Sequence, residues 1–248
     1  MEIYISVATT ILFILMTQSI LISIYNKRIG HRIRMEEGGE EKEIDEKNQV
    51  KEQVLHLSRS IVINCRKSIQ KMHQNKFTDA EQLIKETSAF ISKLYYTSEK
   101  FPEISSAGYA ENAAQEYVEA NCLYHILKGE DLPDPETLLT SNTSYLTGLC
   151  DVVGELRRKA LDAMLNGEIE KAHRFLDIME DMYDAVLRFD YPSSLVPIKR
   201  KQDVLRTLVE KTRGELAIAS VGMRIECKTE EFKSLVNSLQ SDTKKDQT

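Results

Sequence analysis

From residue 48 onward, apolar residues recur at spacings of three and four, and this periodicity constrains the fold more than any other feature of the sequence. Such spacing places residues on one face of an α-helix, whereas a half-buried strand needs a period of two, which is not sustained here. Only five prolines and ten glycines occur in 248 residues, so long stretches lack a helix breaker. The sequence therefore predicts an all-α fold.

Capping residues and breakers divide this region into helices. Asn166-Gly167 is a favourable left-handed cap, and Pro102 and Pro192 stop the helices before them. The predicted helices cover about 48–73, 78–101, 104–128, 143–165, 168–189 and 197–227, with short helices near 135–140 and 230–239. Helices joined by short connections typically pack as antiparallel neighbours. We therefore expect an antiparallel bundle of about six to seven helices, forming one domain at 48–248.

The N-terminal 34 residues have a different pattern. Residues 3–25 are almost free of charge and supply about the 20 residues that a helix needs to cross a bilayer. A basic cluster follows, made of Lys27, Arg28, His31, Arg32 and Arg34. The positive-inside rule then predicts a transmembrane segment with a basic flank at 1–34 and a cytoplasmic domain behind it. In the alternative, translation starts at Met35 and the apolar run is an artefact of the gene model.

The net charge of -6 arises largely from one stretch. Residues 36–47 contain seven acids and two bases, so the remainder is close to balanced. We expect residues 35–47 to form a solvated acidic linker, which is the usual role of such a run. A balanced domain is compatible with a basic face for nucleic acid, so composition does not decide the substrate.

The four cysteines are widely spaced and show no C-x-x-C pairing. A zinc site needs clustered ligands, and free cysteine is among the most buried residue types. We therefore expect Cys65, Cys122, Cys150 and Cys227 to be small core residues in a reducing compartment.

The predicted fourth helix carries two acids among apolar and small residues, in SYLTGLCDVVGEL (144–156). Asp151 and Glu155 are four residues apart and so share one face. Burying an unpaired carboxylate costs several kcal/mol, so each needs a compensating partner. Gly148 and Gly154 bracket Asp151, and glycines inside a helix suggest the close approach of another helix or of a ligand.

The predicted third helix has a matching pair in AAQEYVEANCLYHIL (113–127), where Glu116 and Glu119 are three residues apart. If the two helices pack antiparallel, four acids converge, and such clusters bind Mg²⁺ or Mn²⁺. A structural ion network with Arg157 and Arg158 is the alternative. A di-iron site is disfavoured because no Glu-x-x-His motif is present.

Three segments resemble the translin family, and within it the Trax-type subunits. They are QEYVEA (115–120), YLTGLCDVVGELRR (145–158) and LSRSIVINCRKSI (57–69), within a likeness that spans about residues 50–225. The resemblance implies a translin-like fold, a closed oligomeric shell and cleavage of single-stranded RNA at its inner surface. It also implies that Glu116, Glu119, Asp151 and Glu155 form a magnesium site. The connection between the third and fourth helices is of archaeal length, which favours a homo-oligomer.

Together with the four acids, this resemblance implies a Mg²⁺-dependent endoribonuclease that hydrolyses phosphodiester bonds of single-stranded RNA. The cation activates water and neutralises charge on the scissile phosphodiester. Basic residues are expected to contact the RNA backbone, although a solvated basic face is the alternative: Arg157, Arg158, Lys199, Arg200, Lys201 and Arg206. Two other functions remain open, a non-catalytic binder of single-stranded RNA or DNA and a membrane-tethered helical scaffold whose acids are structural.

Overall fold

The computed structural model describes the backbone of residues 2–192 and 196–245, and the side chains of residues 18–28, 40–192 and 196–237. In these residues every regular element is a helix, which confirms the predicted all-α class. The elements are α1 (Glu2–His73), α2 (Phe77–Ser98), α3 (Pro102–Ser105), α4 (Gly108–Lys128), α5 (Asn142–Leu165), α6 (Ile169–Leu187) and α7 (Lys199–Lys245).

Several predicted boundaries differ from the observed ones. The short helix expected near 135–140 is a series of turns, and the separate helix expected at 230–239 is part of α7. Helix α1 runs through the backbone of residues 35–47, which were predicted to form a linker. Glu and Lys are good helix formers, so an acidic, solvated stretch is compatible with helix.

The chain divides into two compact units, residues 1–53 and 54–248. The first unit contains only the N-terminal part of α1, and the second contains the rest of α1 and the other helices. Among the residues described, none of the helices combines the length and the apolar character needed to span a bilayer. Side chains of residues 3–17, which make up most of the predicted membrane span, lie outside the described residues, so that prediction has no support from the structure.

Helices α4 and α5 run in the same direction, so the antiparallel packing predicted for them is wrong. Near their N-terminal ends, the Ser144 hydroxyl donates to the carbonyl oxygen of Glu111 at 3.4 Å. Near their C-terminal ends, residues 126–129 and 162–166 line one cavity. The connection, residues 129–141, spans up to about 40 Å when extended, and α4 is about 30 Å long. The chain can therefore return along α4 before α5 begins.

Helix α5 lies at the centre of the 54–248 unit. It packs against α4, α6 and α7, and the Lys159 ammonium also donates to the Met72 carbonyl of α1 at 2.9 Å. The tight turn at Gly167, whose φ is 74°, makes α6 antiparallel to α5, as predicted. Arg157 of α5 donates to the Thr212 hydroxyl of α7 at 2.7 Å. An element enclosed on so many sides must be largely apolar, which explains the sequence of α5.

The core is formed by apolar side chains from the helices that surround α5. Three cysteines, Cys65, Cys122 and Cys150, are buried as predicted, whereas Cys227 is exposed on α7, so its assignment to the core is wrong. Large side chains that are fully buried include Ile61, Met72, Ile91, Leu94, Leu123, Leu156, Met179, Leu205 and Leu216.

One glycine sets the spacing between α4 and α5. A Cβ atom at position 148 would lie 2.8 Å from the Gln115 carbonyl oxygen and 2.8 Å from the Val118 Cβ. The close helix approach predicted at Gly148 is therefore confirmed. At Gly154 no described atom lies within 4 Å of such a Cβ, so the same prediction is wrong there.

We expect Gly148→Ala to lower the free energy of unfolding by about 1–3 kcal/mol, because the added methyl group must push α4 away from α5. Gly154→Ala is the matched control, since it makes the same change in the same helix without a clash. It should be neutral or stabilising by up to about 1 kcal/mol. Urea unfolding followed by circular dichroism measures both, and equal stability of the two variants would contradict the close contact.

Candidate metal and nucleic-acid site

The parallel packing of α4 and α5 brings the four predicted acids together. Glu116 and Glu119 lie one turn apart on α4, and Asp151 and Glu155 lie one turn apart on α5. Glu119 is close enough to the other three for each of their charges to raise its pKa. The predicted convergence therefore occurs, although the helices run parallel rather than antiparallel.

Glu119 is the centre of this acid cluster, which we define as Glu116, Glu119, Asp151 and Glu155. Burial, and then the charges of Asp151, Glu116 and Glu155, raise the pKa of Glu119 to about 8, and Lys201 acts in the opposite direction. Among the residues described, no hydrogen bond or ion pair reaches the Glu119 carboxylate. A half-buried carboxylate of this kind is stabilised by protonation or by a cation.

The other three acids each contact a cationic or ionisable side chain. The Lys201 ammonium lies 2.5 Å from Asp151 Oδ1, and the Arg66 guanidinium lies 2.9 Å from Glu116 Oε1. His73 Nε2 contacts Glu155 Oε2, and this contact lowers the pKa of Glu155. These contacts come from α7 and α1, so four helices meet at the acid cluster.

Gln115 orients one of the acids. Its side-chain amide donates to Asp151 Oδ2 at 2.5 Å, while Lys201 holds the other oxygen, Oδ1. Because both oxygens are engaged, the Asp151 carboxylate has a defined plane. A ligand held in this way is preorganised, which favours a site over a mobile surface acid.

The structure separates the six basic residues predicted to bind RNA. Lys201 faces the acid cluster, and Arg157 holds α7 through Thr212 and through an ion pair with Glu215 at 2.8 Å. The pairing of Arg157 with the acids, considered as an alternative, is therefore wrong. The remaining four lie nearer the surface: Arg158 and Arg200 are exposed, Lys199 pairs with Asp190 at 3.6 Å, and Arg206 donates to the Tyr183 hydroxyl at 3.1 Å.

Sequence reasoning missed Arg66, His73 and Gln115 as members of the site. Arg66 and His73 are seven residues apart, which is two helical turns, so they project from one face of α1. That spacing was visible in the sequence, but nothing local related it to acids more than forty residues away. Gln115 lies inside the QEYVEA segment, directly before Glu116. Its position beside the predicted acids was a signal that could have identified it.

The chemistry of the acid cluster suits a hard divalent cation. Carboxylate oxygens are the preferred ligands of Mg²⁺, and the unpartnered Glu119 carboxylate provides a place that a cation would neutralise. No group of three or more His, Cys, Asp or Glu residues in the described part of the chain is already arranged to hold a metal ion. The acids therefore fit Mg²⁺ by type. For the cation to bind, Arg66, His73 and Lys201 would each have to release the carboxylate that it contacts.

The fold places this chain among all-α helical-bundle proteins. A sequence model of the Translin family matches residues 49–214. The chain therefore belongs to the Translin family. Members of this family bind nucleic acids, and some are ribonucleases.

Relatives and solved structures agree with this assignment. An uncharacterised protein from Methanocaldococcus jannaschii is 37% identical over 172 residues, which cover 68% of this chain and 76% of the relative. The crystal structure of AfC3PO is 32% identical with a TM-score of 0.70, and covers 76% of this chain and 98% of AfC3PO. AfC3PO in complex with duplex RNA is 30% identical with a TM-score of 0.69, and covers 76% of this chain and 97% of that one.

We expect the titration of Glu119 to make the metal-free protein less stable as the pH rises from about 4.5 to about 8. A glutamate in the unfolded chain loses its proton near 4.5, whereas folded Glu119 keeps it until about 8. Between these values the unfolded state binds fewer protons, so raising the pH favours unfolding. Glu119→Gln removes this contribution, and its advantage over wild type should grow across the window.

Urea unfolding in EDTA at several pH values measures this difference. Glu226→Gln, which removes an exposed carboxylate from α7, is the control and should keep a constant offset from wild type. Stability profiles of wild type and Glu119→Gln that stay parallel across the window would contradict the effect.

Proposed function

We propose that this chain is a Trax-like, Mg²⁺-dependent endoribonuclease whose acid cluster holds the cation. The observation that carries the proposal is the Glu119 carboxylate, which has no described protein partner and lies among three other acids. A partly buried carboxylate without a partner is costly to a fold that does not use it. Similarity to AfC3PO, which has been solved with duplex RNA, supports RNA as the substrate class.

The chain's own side chains have separate roles in this proposal. Glu116, Glu119, Asp151 and Glu155 would hold the cation, which supplies activation of water and neutralisation of phosphodiester charge when bound. Gln115 keeps the Asp151 carboxylate in its plane. Arg66 is mostly exposed, so its ion pair with Glu116 is weak and easily exchanged.

Lys201 is suited to a change of partner between the free and the RNA-bound protein. Its ammonium holds Asp151 at 2.5 Å and is partly exposed, so a neighbouring RNA phosphate can compete for it. A lysine that leaves the carboxylate for phosphate contributes positive charge next to the reacting group. We therefore assign Lys201 to RNA binding and the other five predicted basic residues to weaker roles.

The preferred form of RNA is part of the proposal. We propose single-stranded RNA, because cleavage at an internal site requires a strand to reach acids between helices. The solved AfC3PO complex contains duplex RNA, so duplex is the matched comparison substrate.

Three further proposals come from the sequence. They are a closed homo-oligomeric shell, a cytoplasmic location and attachment of the chain to a membrane through residues 3–25.

A non-catalytic nucleic-acid binder is the second candidate, and one observation favours it. Three of the four acids contact Arg66, His73 or Lys201, as in a structural ion network. Such a network stabilises the junction of α1, α4, α5 and α7 without any chemistry. The two candidates differ in whether the acids are needed for cleavage or only for stability.

We expect the full-length protein with Mg²⁺ to cut labelled single-stranded RNA internally, and to cut duplex RNA more slowly. Glu119→Gln and Asp151→Asn should each reduce the rate by at least about 100-fold, because ligand changes cost at least as much as changes to the residues that orient them. Glu226→Gln is the control for loss of one carboxylate and should keep full activity. RNA that stays intact, or cleavage that persists in EDTA and in both variants, would exclude the nuclease and favour the binder.

We also expect Mg²⁺ to raise the melting temperature of the wild-type protein. Saturation at 100 times Kd stabilises a fold by about 2.7 kcal/mol, which corresponds to roughly 5–10 °C in a chain of this size. Differential scanning fluorimetry with Mg²⁺, against KCl at the same ionic strength, measures the shift. The shift should be lost in Glu119→Gln, and a shift of the same size in that variant would place the cation elsewhere.

A further inference from the structure

A cavity of about 740 Å³ lies at the C-terminal ends of α4 and α5. Its walls come from α4, α5 and α6 and from the junction of α1 with α2, all within the 54–248 unit. Small-molecule sites typically have volumes of about 300–1,000 Å³, so the cavity has room for a nucleotide. None of the roles proposed above uses it.

The lining of the cavity includes four basic and two acidic side chains. Lys128, Lys159, Lys171 and Arg174 line it, against the acids Asp162 and Glu168. Glu168 pairs with Lys171 at 2.7 Å, and Lys159 donates to the Met72 carbonyl, whereas no partner of Arg174 is found among the described residues. The cavity therefore presents at least one cation, Arg174, that is free to bind a phosphate.

Two aromatic rings and several aliphatic side chains form the remaining wall. Phe77 at the start of α2 and Phe175 of α6 both line the cavity and are half-buried. The Phe77 ring meets Tyr124 edge to face, with 6.5 Å between ring centroids, which holds it in place. Aromatic rings beside basic side chains are the combination that binds a nucleobase and its phosphate.

The cavity adjoins the acid cluster. His73 lines the cavity, and its Nε2 contacts Glu155 of the cluster. The side chain is 5% exposed, and its Nδ1 is buried without a hydrogen-bond partner. Lys159 follows Glu155 by one turn of α5, about 6 Å along the helix.

We propose that this cavity binds one nucleotide of the RNA strand next to the site of cleavage. Arg174 and Lys128 take the phosphate, and Phe77 and Phe175 take the base. The assignment of RNA as the occupant rests on the proposed function, whereas binding of a nucleotide rests on the cavity alone.

Calorimetric titration of the full-length protein in EDTA tests the site without cleavage. The probes are AMP, adenosine and inorganic phosphate, and AMP should bind at least about tenfold more tightly than either part alone. Arg174→Ala should weaken AMP binding about tenfold, because a charge-assisted contact is lost. Phe175→Leu should weaken it at least about fivefold, because stacking on an aromatic ring is lost.

Arg59→Ala is the matched control, since it removes an exposed arginine from α1 outside the cavity. It should leave AMP affinity unchanged, and melting curves verify that each variant is folded. Absence of AMP binding at millimolar concentration would overturn the proposal. An affinity for AMP that is the same in wild type, Arg174→Ala and Phe175→Leu would also overturn it.

A second arm separates this proposal from the proposed nuclease activity. In EDTA, Arg174→Ala should weaken binding of single-stranded RNA, whereas Glu119→Gln should keep AMP binding intact. If AMP binds in the cavity but no RNA is ever cut, the nuclease proposal fails and the nucleotide site stands. If RNA is cut normally and neither AMP nor RNA binding responds to Arg174→Ala, the nucleotide site fails alone.

Discussion

The contact between α4 and α5 at Gly148 is the constraint on which the rest of the site depends. The Gln115 carbonyl and the Val118 side chain occupy the space that any larger residue at position 148 would need. Two helices that pack so closely, and in the same direction, place their side chains at matching heights. Glu116, Asp151 and Glu155 therefore lie close enough to Glu119 for their charges to raise its pKa. Without this approach the acids would be two separate surface pairs.

The acid cluster is the place where polar side chains from four helices meet. Arg66 and His73 reach it from α1 and Lys201 from α7, and each contacts a different acid. Glu119 alone remains without a described partner, and its raised pKa reflects burial among like charges. The helices thus contribute charge of both signs to a junction that would otherwise be repulsive. The same side chains therefore stabilise the helix junction and take part in the proposed chemistry.

The sequence was sufficient to predict the helices and the four acids, because both depend on local spacing. Periods of three and four place Glu116 with Glu119 and Asp151 with Glu155 regardless of tertiary structure. The direction of packing was not predictable in this way, since it depends on the path of residues 129–141 rather than on any pattern within α4 or α5. The contacts of Arg66, His73 and Lys201 with the acids depend on that path and on the bundle, so the sequence did not predict these contacts.

If the acid cluster binds a cation as proposed, Gly148 would also influence the size of that cation. Oxygen ligands surround Mg²⁺ at about 2.0–2.1 Å and Ca²⁺ at about 2.3–2.6 Å, so a site built from two rigid helices is sensitive to their separation. Glycine at position 148 allows α4 and α5 to approach closely. The distance between the two helices would then select the ionic radius, although Gly148 is not one of the proposed ligands.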